Sequence, residues 1–171
     1  LEKLRIDLPD HLTAKHLENE VNALLQKNEI HNGGRVRITF SRKSTGYYLP
    51  SGSDLEYLIE AYPIEENYFK LNEEGKIIDV YPEIKKDINK LSIFKTLNCS
   101  LFIQASFFAQ DKSLHDALIQ NHKGGIIEST SSNVFLVSNG VLYTPGLDEG
   151  CVAGITRMTI INIALENNIK V

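Results

Sequence analysis

The sequence has few of the residues that mark disulfide-rich, metal-binding or membrane proteins. It contains only two cysteines in 171 residues, Cys99 and Cys151, and they lie far apart. This argues against a disulfide framework and favours reduced thiols in a cytoplasmic protein. The five histidines show no zinc-site spacing, so we expect no bound metal.

Long apolar runs and clusters of basic residues are also absent. No apolar run is long enough to cross a bilayer, and we expect neither a signal peptide nor membrane association. The net charge of -4 is spread along the chain, without the basic patch that is typical of nucleic-acid-binding proteins. A hydrophobic content of 42% and a charged content of 23% indicate a globular protein, long enough for one large or two small domains.

The first half of the chain shows helix and strand periodicities in turn. Thr13 is a predicted N-cap for a helix that runs to about Lys27. The charged segment 82–90 has no periodicity and is a candidate linker. Alternating or apolar runs predict strands at 35–41, 55–62 and 76–81.

The second half predicts two helices, several short strands and a hairpin. Asn139 and Gly140 separate two apolar runs, and both residue types tolerate the positive φ of a tight hairpin turn. The last helix is expected over 156–166, with apolar residues burying most of its surface. The other predicted elements are a buried helix around 97–109 and strands at 117–120, 126–129 and 134–137.

Three features of the sequence could carry chemistry, and each has two interpretations. The turn before the last helix, at Gly154, could bind phosphate through unpaired backbone N–H groups, or Thr156 could be an ordinary N-cap. Lys95, after a short apolar run, is either solvated at the surface or held in a pocket as a nucleophile. Glu128 ends an apolar strand and is either a loop acid or the partner of a protonated pyridine nitrogen.

Together and in this order, these residues resemble the class IV aminotransferases, the fold-type IV pyridoxal phosphate enzymes. The resemblance covers most of the chain and is strongest in residues 94–98, 127–135, 141–145 and 150–157. It implies that Lys95 is the Schiff-base lysine and general acid/base, and that Glu128 pairs with the pyridine nitrogen of pyridoxal 5'-phosphate. The other residues that the resemblance assigns to the cofactor are Ser132, Asn133, Val152, Gly154, Ile155 and Thr156, and those it assigns to the substrate side are Arg37 and Arg42.

The resemblance also implies a fold. We expect an α/β (α+β) protein with two domains: a small N-terminal α/β domain over residues 1–88, and a barrel-like cofactor-binding domain over residues 89–171. The cofactor would lie between them, in a homodimer whose subunits complete each other's sites. The family's His-x-x-Arg-Leu motif and its C-terminal phosphate contacts have no counterpart here, so we expect further sequence on both sides.

The implied function is the transfer of an amino group between an amino acid and a 2-keto acid. The alternative is a 4-amino-4-deoxychorismate lyase, which forms 4-aminobenzoate and pyruvate. Residues 95–98, Lys-Thr-Leu-Asn, are closer to D-amino acid aminotransferases and lyases than to branched-chain enzymes, which have a tyrosine at the position of Ser100. A non-catalytic protein with this fold, or a simple phosphate-binding module, would leave Lys95 and Glu128 without a role.

Overall fold

Residues 1–65, 68 and 70–171 are described by the computed structural model, and they divide into two units. The first unit is Leu1–Asn72 and the second is Glu73–Val171. This division precedes the predicted domain boundary near residue 88, because Ile78–Val80 pairs with a strand of the second unit. Each unit therefore has its own sheet.

In its described residues, the first unit contains one α-helix and one pair of antiparallel strands, preceded by a short 3-10 helix at Glu2–Leu4. Helix α1 (Ala14–Lys27) begins where predicted, because the Thr13 hydroxyl accepts a hydrogen bond from the His16 N–H at 3.1 Å. Strands β1 (Gly34–Arg42) and β2 (Leu55–Pro63) pair along their whole length, and α1 packs against β2. The sequence predictions for these three elements are confirmed.

The second unit contains a three-stranded sheet, a separate hairpin and two helices. Strand β3 (Ile78–Val80) runs parallel to β4 (Asp116–Gln120), and β4 runs antiparallel to β5 (Ile126–Ser129). Strands β6 (Leu136–Ser138) and β7 (Val141–Tyr143) form the hairpin, and at its tip Asn139 and Gly140 have φ of 49° and 75°, as their sequence predicts. Among the described strands, the three-stranded sheet and the hairpin are not paired with each other. The two α-helices of this unit are α2 (Ser100–Asp111) and α3 (Ile155–Glu166).

The core of the second unit lies between α2 and the sheet. Ala105 and Ala109 face it from the helix, and their small side chains let α2 approach the strands closely. Ile119 of β4 and Ile127 of β5 are buried there, and each contributes about 1.5–3 kcal/mol of stability. Ile119 stands opposite Glu128 in the β4–β5 register, so this core supports the strand that ends in Glu128.

Two sequence predictions are wrong in this unit. Segment 82–90 is not a free linker, because its backbone bonds to the end of β4. The Lys86 N–H donates to the Gln120 carbonyl at 2.8 Å, and Lys86 and Asn121 form an isolated parallel β-bridge. The apolar residues of α3 are largely exposed, including Met158, Ile163 and Leu165, and Ala164 is the buried one. An apolar pattern shows which side chains favour burial but not whether another element covers them.

The predicted strands at 76–81 and 134–137 also differ in extent from β3 and β6. Of the helices in the described residues, none is long and apolar enough to span a membrane. The described side chains likewise contain no cluster of three or more His, Cys, Asp or Glu placed to hold a metal ion.

Candidate functional site

Glu128, at the end of β5, is a buried carboxylate with both oxygens engaged. Its side chain is 7% exposed. Oε1 accepts a hydrogen bond from Lys86 Nζ at 2.6 Å, and Oε2 accepts one from the Val152 N–H at 3.1 Å. A buried carboxylate is costly unless it is paired, and these two bonds supply the pairing. They also hold the carboxylate in one orientation.

The sequence pattern did not single out Lys86, which comes from the segment interpreted as a linker. Its Nζ also donates to the Ser92 carbonyl at 3.1 Å and lies 5.5 Å from the centre of the Phe102 ring. Its side chain is 15% exposed. A single buried lysine in a charged, aperiodic segment leaves no signal in the sequence, because its partners are remote in the chain.

Lys95 is exposed, and Ile93, two residues before it, is anchored beside a residue that binds Glu128. Two adjacent N–H groups make the connection: Val152 donates to Glu128, and Ala153 donates to the Ile93 carbonyl at 2.8 Å. In the part of the chain that the structure describes, Lys95 Nζ has no hydrogen-bond or ion-pair partner. The amine is therefore unpaired among the described residues, and it belongs to a segment that the Ala153–Ile93 hydrogen bond connects to the backbone beside Glu128.

The N-terminus of helix α3 has no side-chain cap. Gly154, and not Thr156, is its N-cap, and no side chain bonds to its first N–H groups. Ile155 and Thr156 are exposed in the first turn, where backbone N–H groups without intrahelical partners favour an anion. The structure therefore excludes a Thr156 cap, and phosphate binding by this N-terminus stays a prediction.

Asn133 and Gly154 lie next to each other in the structure. Their assignment to the cofactor stays a prediction. A Cβ at Gly154 would lie 2.7 Å from Asn133 Oδ1, so glycine is the residue that allows this approach. Ser132 is exposed, and its N–H donates to Ser129 Oγ at 3.0 Å. Ser132 thus has a structural bond in the turn that carries Asn133.

The loop before Val152 is held by a buried amide. Asn121 Nδ2 donates to Glu149 Oε2 at 2.8 Å and to the Glu149 carbonyl at 3.1 Å. Gly150 then turns the chain with φ of 91°. Burial raises the pKa of the Cys151 thiol, which keeps it protonated next to the site.

Asp116 anchors the turn at residues 129–133, a role that the sequence pattern did not reveal. It accepts hydrogen bonds from Ser129 Oγ and Thr130 Oγ1, each at 2.6 Å. Burial alone would raise the pKa of Asp116, but the hydrogen bonds from Ser129, Thr130 and the Ala117 N–H together lower it below its ordinary value of 3.8. The ionised form of Asp116 is therefore the one that holds the turn.

This arrangement predicts a pH-dependent contribution to stability. Because the folded pKa of Asp116 lies below the unfolded one, its stabilisation is present above about pH 3.8 and is lost as pH falls through the folded value. We expect Asp116→Asn to lower the urea midpoint near neutral pH and to flatten its decline in acid. The matched control is Asp111→Asn, at an exposed carboxylate that has no partner among the described residues. Parallel acid profiles for wild type and Asp116→Asn would contradict the prediction.

The two predicted substrate-side arginines lie in the first unit. The Arg42 guanidinium donates to the backbone carbonyls of Leu4, Arg5 and Gly52, which ties it to the start of the chain. Arg37 is exposed on β1, opposite Glu60 in the register. Their contact with substrate stays a prediction.

Comparison with known proteins relates the whole chain to one family. The family model for amino-transferase class IV matches residues 3–171. A putative branched-chain-amino-acid aminotransferase of Methanocaldococcus jannaschii is 36% identical over 77 residues, which cover 45% of this chain and 27% of that protein. The D-alanine aminotransferase of Listeria monocytogenes is 29% identical over 98% of this chain and 57% of its own length. The chain thus spans little more than half of that relative.

Solved structures share the same fold. A putative 4-amino-4-deoxychorismate lyase from Legionella pneumophila superposes with a TM-score of 0.84 at 20% identity, over 99% of this chain and 60% of that chain. The branched-chain aminotransferase of Thermoproteus uzoniensis superposes with a TM-score of 0.82 at 24% identity, over 99% and 56%. These likenesses confirm the predicted α/β fold class.

Proposed function

This chain belongs to the class IV aminotransferase family, and on that premise we propose that the protein binds pyridoxal phosphate and transfers an amino group between an amino acid and a 2-keto acid. The observation that carries the proposal is the pair of adjacent N–H groups of Val152 and Ala153. They connect the buried Glu128 carboxylate with the segment that bears Lys95. These two hydrogen bonds connect the Glu128 carboxylate to the segment that contains the unpaired Lys95 amine.

The described residues fit pyridoxal phosphate. The buried carboxylate of Glu128 suits a protonated ring nitrogen, and the uncapped N-terminus of α3 suits a phosphate. Gly154 keeps the space beside Asn133 open, since a Cβ there would collide with the amide. When bound, pyridoxal phosphate supplies an electron sink for bond breaking at the amino acid's α-carbon.

The chain's own residues divide the remaining work. Lys95 Nζ would hold the cofactor covalently and move the α-proton, and Glu128 would hold the proton on the ring nitrogen. The N–H groups of Ile155 and Thr156 would hold the phosphate, and Val152 would pack against the ring. Lys86 is the less suitable nucleophile, because the ring nitrogen and the aldehyde carbon of the cofactor lie on opposite sides of the ring. A lysine bonded to the acid at the nitrogen is therefore remote from the carbon.

The finer parts of the proposal concern substrate, assembly and location. An amino acid and a 2-keto acid are the substrates we propose, in a cytoplasmic homodimer, on the strength of the family. The Lys-Thr-Leu-Asn sequence at 95–98 resembles both the lyases and the D-amino acid aminotransferases, so it does not choose between amino transfer and the lyase alternative.

The test uses the protein expressed from its complete gene and loaded with pyridoxal phosphate. Transfer is measured as the conversion of 2-oxoglutarate to glutamate with D-alanine, L-alanine and branched-chain amino acids as donors. Lysis is measured as 4-aminobenzoate formed from aminodeoxychorismate. We expect turnover that requires both a donor and 2-oxoglutarate. Release of 4-aminobenzoate without amino transfer would assign the lyase, and a cofactor-loaded protein inactive in both assays would contradict both functions.

A further inference from the structure

We propose that Lys86 is a positioning residue: it fixes the Glu128 carboxylate in the orientation that the cofactor's ring nitrogen requires. It acts through Glu128 and does not touch the substrate. The inference rests on the proposed function, and it adds a residue that the family resemblance did not assign.

The first step is the burial of the Lys86–Glu128 ion pair. Their side chains are 15% and 7% exposed, and Nζ lies 2.6 Å from Oε1. The other lysine–carboxylate pairs of the described residues are more than a third exposed on both sides, so water screens them: Lys15–Glu18, Lys112–Asp79 and Lys123–Glu149. The Lys86 ammonium is therefore the counter-charge that matters for a carboxylate with little access to water.

The second step is orientation. An ionised carboxylate has about four acceptor positions, and Lys86 and Val152 occupy one on each oxygen. These two donors come from segments that are far apart in the sequence, and together they prevent the carboxylate from rotating. The remaining acceptor positions then face in fixed directions, as a bond to a ring N–H demands.

The third step is the connection to Lys95. Lys86 Nζ also donates to the Ser92 carbonyl at 3.1 Å. Ser92 is itself held, since its hydroxyl donates to the Asp87 carbonyl at 2.7 Å and accepts from the Asn89 N–H at 2.9 Å. Lys86 therefore joins Glu128 to the turn that leads to Lys95, independently of the Val152–Ala153 connection. Loss of its ammonium group would loosen both sides of the site.

Other charges near Glu128 do not replace Lys86. Electrostatic effects on the neighbouring Cys151 thiol come from Arg157 as well as from Glu128 and Lys86. Arg157, however, donates to the Pro145 carbonyl at 2.7 Å and makes no hydrogen bond to the carboxylate in the described residues. Its charge is nearby, but it does not orient Glu128.

The experiment compares Lys86→Met, Lys86→Arg and Lys85→Met in the protein expressed from its complete gene. Lys85 is the matched control, because it is the adjacent residue, is exposed and has no partner among the described side chains. Three quantities are measured: the Kd of pyridoxal phosphate by equilibrium dialysis, the ratio of the bound cofactor's absorbance bands at one pH, and the Tm of the cofactor-free protein. The band ratio reports how the ring nitrogen is held, which a purely structural role would not change.

We expect Lys86→Met to alter the band ratio and to raise the Kd about 10- to 100-fold, the range found when a residue that orients a metal ligand is removed. Lys86→Arg, which keeps the charge and the donors, should return both to within about threefold of wild type, and Lys85→Met should match wild type. If Lys86→Met does not fold, Lys86→Gln is measured in the same way.

A lower Tm with unchanged Kd and band ratio would overturn the inference, since Lys86 would then only support the fold. Equal defects in Lys86→Met and Lys85→Met would overturn it as well. A wild-type protein that binds no pyridoxal phosphate would contradict the proposed function itself, and that outcome is distinguishable because it requires no variant.

Discussion

Replacing Lys95 with alanine is expected to abolish covalent attachment of pyridoxal phosphate and to lower amino transfer by more than about a thousandfold. Lys95 carries both the bond to the cofactor and the proton transfer in the proposed reaction, so one substitution removes two contributions. Its Nζ is exposed and has no partner among the described residues, so we expect the urea midpoint to stay at the wild-type value. A large loss of function without a loss of stability is what separates a reactive lysine from a structural one.

The measurement is borohydride reduction of the loaded protein, followed by peptide mapping of the labelled lysine. Wild type should carry the label on Lys95, and Lys95→Ala should carry none. The matched control is Lys90→Ala, at an exposed lysine five positions earlier in the segment that leads to Lys95. Labelling of Lys86 in the wild type, or normal turnover by Lys95→Ala, would show that the assignment is wrong.

The second large effect is expected at Glu128, where Glu128→Gln should reduce both stability and activity. The amide keeps the size of the side chain but leaves the Lys86 ammonium buried without a counter-charge, at a cost of about 3–5 kcal/mol. The neutral side chain also cannot hold a proton on the ring nitrogen by charge, so we expect turnover to fall by about a hundredfold or more.

The double variant Glu128→Gln with Lys86→Met separates these two effects. It removes both members of the buried pair, so we expect it to recover much of the stability that the single variant loses, as measured by urea denaturation. Activity should not recover, because the acid is still missing. Recovery of turnover together with stability would mean that Glu128 serves the fold and not the chemistry.

Secondary structure with local causes was predictable from the sequence. The Thr13 hydroxyl caps the helix that begins at the next residue by accepting a hydrogen bond from the N–H three positions ahead, and Asn139-Gly140 makes a turn because both residues accept positive φ. Burial in α3 was mispredicted for the opposite reason. Whether Met158 or Leu165 is covered depends on what packs against the helix, and the pattern of one helix contains no information about that.

The residues of the candidate site also fall into two groups: those that belong to short sequence motifs and those whose partners are remote in the chain. The residue types at Lys95, Glu128 and Gly154-Ile155-Thr156 belong to short motifs, so the family and the roles it implies could be inferred from the order of residues in the chain. Lys86 and Asp116 belong to no motif. Lys86 reaches Glu128 across 42 positions in the chain, and Asp116 reaches Ser129 across 13.

By itself, the sequence determined the family and the order of helices and strands, and it suggested the residues that we propose bind and use a pyridoxal cofactor. Only the tertiary structure showed which charges are buried together, namely that Glu128 is paired with Lys86. It also showed that Lys95 has no partner among the described residues, although Ile93, two residues before it, is held by Ala153. The reason is physical. Motifs and caps depend on neighbours within a few residues, whereas desolvation and ion pairing depend on which remote segments the fold brings into contact.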